Sequence, residues 1–161
     1  MTLDIRPTSP DHPQVLALIA ELDAYLQSIY APEENHLLDL AGLLQPQVTF
    51  LAAWDGDLVV GCGAVRAMPG EAATGGEPYG EIKRMFVAPG RRGARLGHRL
   101  LAALETAARA QGLDRALLET GEALAAAARM YRSAGYVARG PFGGYPDNGT
   151  SIFLEKRWTT A

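Results

Sequence analysis

The segment from Gly80 to Gly97, GEIKRMFVAPGRRGARLG, holds the groups best suited to chemistry. An apolar strand runs into Pro89, Arg91 and Arg92 follow, Gly93 interrupts them, and a helix begins. A helix N-terminus exposes unpaired N–H groups and a partial positive charge, so it attracts phosphate. Gly93 leaves room for backbone to approach a ligand. Arg92, Arg95 and Arg99 fall at helical spacing and would add positive charge on one side. A pyrophosphate fits such a loop. The plain alternative is a basic helix entrance that faces solvent, since short arginine–glycine runs are common. No G-x-x-x-x-G-K-[ST] occurs, which excludes a Walker A loop. Gly61-Cys62-Gly63 lacks the third glycine of a dinucleotide fingerprint and lies inside a strand pattern.

The elements that must position this loop read as follows. Leu3 to Arg6 alternates like a short strand. Asp11, two residues before Pro13, marks a helix start. Val15, Leu18, Ile19, Leu22, Leu26 and Ile29 give that helix one buried face. A second, shorter helix is expected over Glu34 to Leu44, stopped by Pro46. Val48 to Trp54 and Leu58 to Val65 flank Asp55-Gly56, a strong hairpin signal. Met68 to Tyr79 reads as loop and Glu81 to Val87 as strand. Leu96, Leu100, Leu101, Leu104, Ala107 and Ala108 mark a long helix capped by Gly112. Arg115 to Glu119 is a strand, Leu124 to Ala134 a helix, and Tyr136 to Ala138 and Ser151 to Lys156 the last strands. The order β-α-α-β-β-β-α-β-α-β-β describes a mixed α/β fold around one sheet.

The 161 residues fit a single domain spanning 1–161. Their net charge of −3 argues against a generic nucleic-acid binder. Cys62 is the only cysteine, so no internal disulfide forms and a secreted scaffold is not indicated. The N-terminus has no signal-peptide pattern and no apolar run reaches membrane-spanning length. The expected location is the cytoplasm. His12, His36 and His98 lack metal spacing, so no metal is expected. Cys62, Trp54 and Trp158 read as packing residues.

At Arg92-Gly93-Ala94-Arg95-Leu96-Gly97 the chain resembles motif A of the GNAT superfamily of N-acetyltransferases, Q/R-x-x-G-x-G/A. Arg95 stands in place of the central glycine. Ala128-Arg129-Met130-Tyr131-Arg132-Ser133-Ala134-Gly135-Tyr136 resembles motif B, A-x-x-L-Y-x-x-x-G-F/Y. The resemblance covers most of the chain and suggests a bacterial acyltransferase. It implies a mostly antiparallel sheet of about six or seven strands with a splayed central pair and about four helices. It also implies acetyl-CoA as co-substrate. Met85, Phe86 and Val87 would bind the pantetheine arm through main-chain groups, and an N–H near Phe86 or Val87 would polarise the thioester carbonyl. Arg92, Gly93, Ala94, Arg95, Leu96, Gly97 and His98 would hold the rest of the coenzyme, with Tyr131 at the sulfur.

An alkylammonium acceptor, with a pKa of about 10.4, must lose a proton before attack. By resemblance Glu81 would be the base and Tyr131 the acid that protonates the leaving thiolate. Leu124 replaces an asparagine that often contacts the coenzyme in the family. The resemblance places the acceptor between the first two helices and the last hairpin, near Tyr25, Tyr30, Glu33, Glu34, Tyr145 and Asp147. The implied reaction is direct attack in a ternary complex by a small-molecule primary amine, or by a protein or peptide amine. No nucleic-acid or membrane partner is expected, and a homodimer is left open. The competing reading is a degenerate GNAT domain that binds CoA and regulates a partner.

Overall fold

Apolar residues on both sides of Asp55-Gly56 close the expected hairpin, β2 (Val48–Asp55) with β3 (Leu58–Met68). In the computed structural model, which describes residues 2–32 and 38–158, this hairpin is part of a seven-stranded sheet. The other strands are β1 (Leu3–Pro7), β4 (Tyr79–Val87), β5 (Arg115–Gly121), β6 (Val137–Arg139) and β7 (Ser151–Arg157). Their order across the sheet is β1-β2-β3-β4-β5-β7-β6. All neighbours are antiparallel except β4 and β5, which are parallel.

Two layers of helix cover the sheet. α1 (Pro13–Ile29) and α2 (Leu40–Leu43) pack on one face, where Val15, Leu18, Leu22 and Leu26 meet Phe50, Ala52, Cys62 and Phe86. α3 (Leu96–Ala110) and α4 (Ala125–Ser133) cover the other face, where Leu101, Leu104, Tyr131 and Tyr136 meet Leu51, Val65 and Leu118. Burial of these apolar side chains is the main force holding each helix to the sheet. Glu105 is buried inside α3 because Tyr136 donates to it at 3.0 Å and Lys156 at 2.9 Å. That pairing ties α3 to β7 and satisfies a charge that would otherwise be costly to bury.

Several local readings change. The first helix is capped by His12, whose ring accepts from the Gln14 N–H at 3.2 Å, while Asp11 accepts from Ser9. Among the described residues the second helix is only Leu40–Leu43, capped by Asp39; residues 34–37 of the expected helix lie outside the described set. β4 begins at Tyr79, two residues early, because Tyr79 and Gly80 still pair with Met68 and Ala67.

Two features of β4 open the middle of the sheet. Pairing with β5 is confined to Gly80↔Ala116 and Glu81↔Leu117, so β4 from Ile82 onward has no partner on that side. A register shift against β3 falls between Cys62 and Ala64, opposite Arg84, which has a left-handed φ of 58°. A non-glycine there costs roughly 1–2 kcal/mol. Arg84 offsets it through an ion pair with Asp23 and a bond from Nε to the Leu38 carbonyl at 3.1 Å.

Candidate active site

The splay between β4 and β5 creates a cleft of about 630 Å³. One wall is Met85, Phe86 and Val87 of β4; the others are Leu22 and Tyr25 of α1, the loop and first turn of α3, and residues 123–127 and Tyr131 of α4. Gly93, Arg95, Leu96, Gly97 and His98 line the end where α3 begins. Ala94 sits exposed within the same turn, although it is not part of the cleft wall. Gly93 has φ 103°, which L side chains rarely adopt, so glycine is needed for the turn itself. Arg95 is the N-cap residue of α3 and has φ 56°. Arg84 and Arg95 are the two non-glycine residues with positive φ among the described residues; Arg95 lines this cleft and Arg84 a smaller cavity beside it. Strained backbone of this kind concentrates at functional sites.

Of the three arginines read as one helical stripe, Arg92 and Arg95 both line the cleft. Arg92 precedes the helix in extended conformation, with Nε donating to the Val87 carbonyl at 3.2 Å and its guanidinium over Phe86. Arg99 lies outside the cleft wall. Arg91 pairs instead with Asp55 at the β2–β3 turn. His98 and Ser133 are 2.8 Å apart and join the starts of α3 and the end of α4. Leu124, the N-cap residue of α4, supplies no capping side chain, and Ala125–Ala127 of that helix's first turn line the cleft.

Tyr131 stands at the inner end of the cleft. It is 7% exposed, its ring packs edge-on against Tyr136, and its hydroxyl has no hydrogen-bond partner among the described residues. Burial raises its pKa, so it stays protonated through the neutral range. Beyond it lies a smaller cavity of about 130 Å³ that shares Leu22, Leu26, Met85, Leu124, Ala127 and Tyr131 with the cleft. Its other walls include Tyr30, Ile82, Lys83, Arg84, Glu119, Thr120, Gly121 and Ser151. Tyr30 reaches across from the end of α1 because Gly121 has no side chain; a Cβ there would lie 1.6 Å from the Tyr30 hydroxyl.

Glu81 lies behind this small cavity and lines neither space. It is 1% exposed. Arg66 binds it at 2.8 Å, Lys83 approaches to 3.5 Å, and the Tyr145 hydroxyl donates to it at 2.5 Å. Lys83 also donates to Tyr145. Burial lowers the pKa of Lys83, partly opposed by Glu81 and Glu119, and burial together with Glu81 raises that of Tyr145. Tyr79 donates to Glu71 at 2.5 Å on the same side, under Phe142.

Other expected wall residues divide between the two spaces. Tyr25 lines the large cleft and Tyr30 the small cavity, whereas Asp147 is exposed and lines neither. Glu33 and Glu34 lie outside the described residues. Lys83, Glu119 and Ser151 had not been singled out. The available signal was a lone acidic residue inside the apolar strand run Arg115–Gly121. Cys62 is fully buried and its thiol pKa is pushed up to about 12 by desolvation, as a packing residue should be. Among the described residues no cluster of His, Cys, Asp or Glu forms a metal site, and no helix is long and apolar enough to cross a membrane.

A strand that leaves its parallel neighbour, followed by a glycine turn and a helix N-terminus, defines an acyltransferase fold of the GNAT type. Residues 15–136 match the Acetyltransferase (GNAT) family, and the chain belongs to it. It is 49% identical over 148 residues to the IAA acetyltransferase of Azospirillum brasilense, covering 92% of this chain and 93% of that protein. A solved structure from Klebsiella pneumoniae, described as an acyl-CoA N-acyltransferase, superposes with a TM-score of 0.80 at 34% identity, covering 98% of this chain and 99% of that one. The PaiA N-acetyltransferase of Thermoplasma acidophilum, solved with coenzyme A, shares the fold with a TM-score of 0.72 at 15% identity over 98% of this chain and all of that one.

Proposed function

We propose that the protein transfers an acetyl group from acetyl-CoA to the primary amine of a small molecule. The observation that carries the reading is the position of Tyr131. Its unpartnered, protonated hydroxyl lies where the large cleft meets the small cavity. The residues present suit the coenzyme. The unpaired edge of β4 offers backbone groups to an amide-bearing arm, and the Gly93 turn with the α3 N-terminus offers N–H groups to a pyrophosphate. The coenzyme supplies an acyl group activated as a thioester. Met85, Phe86 and Val87 would hold its arm by main-chain bonds, Arg92 to His98 would hold its phosphates, and a β4 N–H would polarise the carbonyl.

The amine enters through the small cavity. Its nitrogen forms the new bond to the acetyl carbon as the carbon–sulfur bond breaks, and Tyr131 gives its proton to the sulfur. The proton lost by the nitrogen ends on Glu81. Because Glu81 is behind the wall, Lys83 relays it: Lys83 gives a proton to Glu81 and takes one from the acceptor. The lowered pKa of Lys83 favours that exchange.

The 49% identical relative makes IAA one compound to screen beside alkylamines, amino acids and peptide amines. Release of thiol from acetyl-CoA that depends on one of these acceptors, with the acetylated product seen by mass spectrometry, supports the reading. Tight CoA binding without turnover of any acceptor favours the regulatory module, for which Arg95 in left-handed geometry and the uncapped Leu124 are the arguments.

A further inference from the structure

Leu22, Leu26 and Tyr30 follow one another at four-residue spacing, and all three line the small cavity. Tyr30 is the last of them and the largest. Its N–H closes α1 by donating to the Leu26 carbonyl at 2.9 Å, and its backbone then leaves in extended conformation. The half-buried side chain crosses to β5 and ends on Gly121. That glycine lies beyond Leu117, the last β5 residue paired with β4, so the ring reaches over to the far side of the splay. A Cβ built on Gly121 would stand 1.6 Å from the Tyr30 hydroxyl oxygen and 2.5 Å from its Cζ. Gly121 is not among the glycines with positive φ, so its backbone would accept a side chain, and the tip of the phenol is what excludes one. The small cavity measures about 130 Å³ against about 630 Å³ for the cleft, so one aromatic ring on its wall is large beside the space it bounds.

We propose that the Tyr30 ring, seated on Gly121, fixes the size of the acceptor's reacting end and makes the protein selective for a primary amine on a short, slender chain. This inference rests on the acetyl-transfer reading above. The selection depends on volume, not on charge. Protein interiors are close-packed, so shortening a side chain in such a wall leaves space that a longer substrate can fill. The neighbouring wall residues Leu22, Leu26, Ile82 and Leu124 are apolar and suit added methylenes. Gly121 takes part by leaving room for the ring to lie back against β5.

The test measures kcat/KM for n-propylamine and n-hexylamine and takes the hexyl-to-propyl ratio. Both are unbranched alkylamines, so the ratio reads length. Tyr30→Leu is expected to raise it about tenfold or more, the scale on which a pocket discriminates single methylenes. Tyr30→Phe keeps the ring and should keep the wild-type preference. Gly121→Ala pushes the ring off β5 toward the cavity and should lower the ratio; Tyr30→Leu added to Gly121→Ala should raise it again. If Tyr30→Leu does not fold, the fall in Gly121→Ala carries the test. A ratio that stays at the wild-type value in these variants, or that moves as far in Tyr30→Phe as in Tyr30→Leu, overturns the assignment while acetyl transfer stands. A wild-type enzyme that turns over no amine overturns the transfer reading and this assignment together.

Discussion

The two halves of the site are built from different materials. The cleft half uses backbone and small residues that lie close together in sequence: Met85–Val87, Gly93–His98 and Ala123–Ala127. The cavity half uses charged and hydroxyl side chains drawn from across the chain: Tyr30, Arg66, Glu81, Lys83, Glu119, Tyr145 and Ser151. Main-chain N–H groups are present whatever the side chain, so a site made of them tolerates substitution and serves one common donor. A site made of side chains changes with each substitution and sets which acceptor is used. The left-handed Arg95 illustrates the first half: the turn forms with an arginine at φ 56°, a conformation that favours glycine. The Glu81 network illustrates the second, because each member is held by the others.

The contrast can be broken by substitutions on either side. Glu81→Gln should have the largest effect on stability. It removes a buried charge that faces Arg66 and Lys83, and breaking such a pair costs about 3 kcal/mol or more. Urea denaturation would measure this, while CoA affinity of the folded fraction should hold. Next in size is an alkaline effect. Tyr131 and Tyr136 both have pKa values raised by burial, Tyr136 further by Glu105. Above pH of about 10 the unfolded phenols lose protons that the folded ones keep, so stability present below that pH is lost as pH rises, by up to about 1.4 kcal/mol per phenol per pH unit. Denaturation midpoints at pH 9 and 11 would show it; equal midpoints would remove the effect.

Smaller changes separate the halves further. Arg95→Gly relieves left-handed strain and should stabilise the free protein by about 1 kcal/mol. It also removes a positive charge at the helix entrance, so CoA should bind severalfold more weakly by calorimetry, with the acceptor KM unaltered. A shift confined to the acceptor KM would contradict the division. The smallest expected effect is at Cys62. Fully buried and with its pKa pushed up to about 12, it should not react with a thiol reagent until the chain unfolds. Rapid labelling of the folded protein would show that the α1 face opens.

The same division explains what was legible in the sequence. The hairpin at Asp55-Gly56, the leucine spacing of α3 and the Arg92–Gly97 turn depend on neighbours within a few residues, and all three were readable. The cap of α1 shifted by one residue because His12 offers a ring nitrogen to Gln14. Arg92 left the helical stripe because the left-handed turn at Gly93 and Arg95 separates it from α3. The acceptor side was least legible. Glu81 meets Arg66 and Tyr145 from 15 and 64 residues away, contacts that no local pattern encodes. Glu119 looked like an ordinary strand residue, and only the β4–β5 splay turns it into a cavity wall.

The two halves meet at Tyr131, and its removal tests the central claim most directly. For Tyr131→Phe at saturating acetyl-CoA and amine, kcat should fall about a hundredfold, the scale of a lost general acid, while CoA affinity is unchanged. A kcat equal to the wild type would contradict the account.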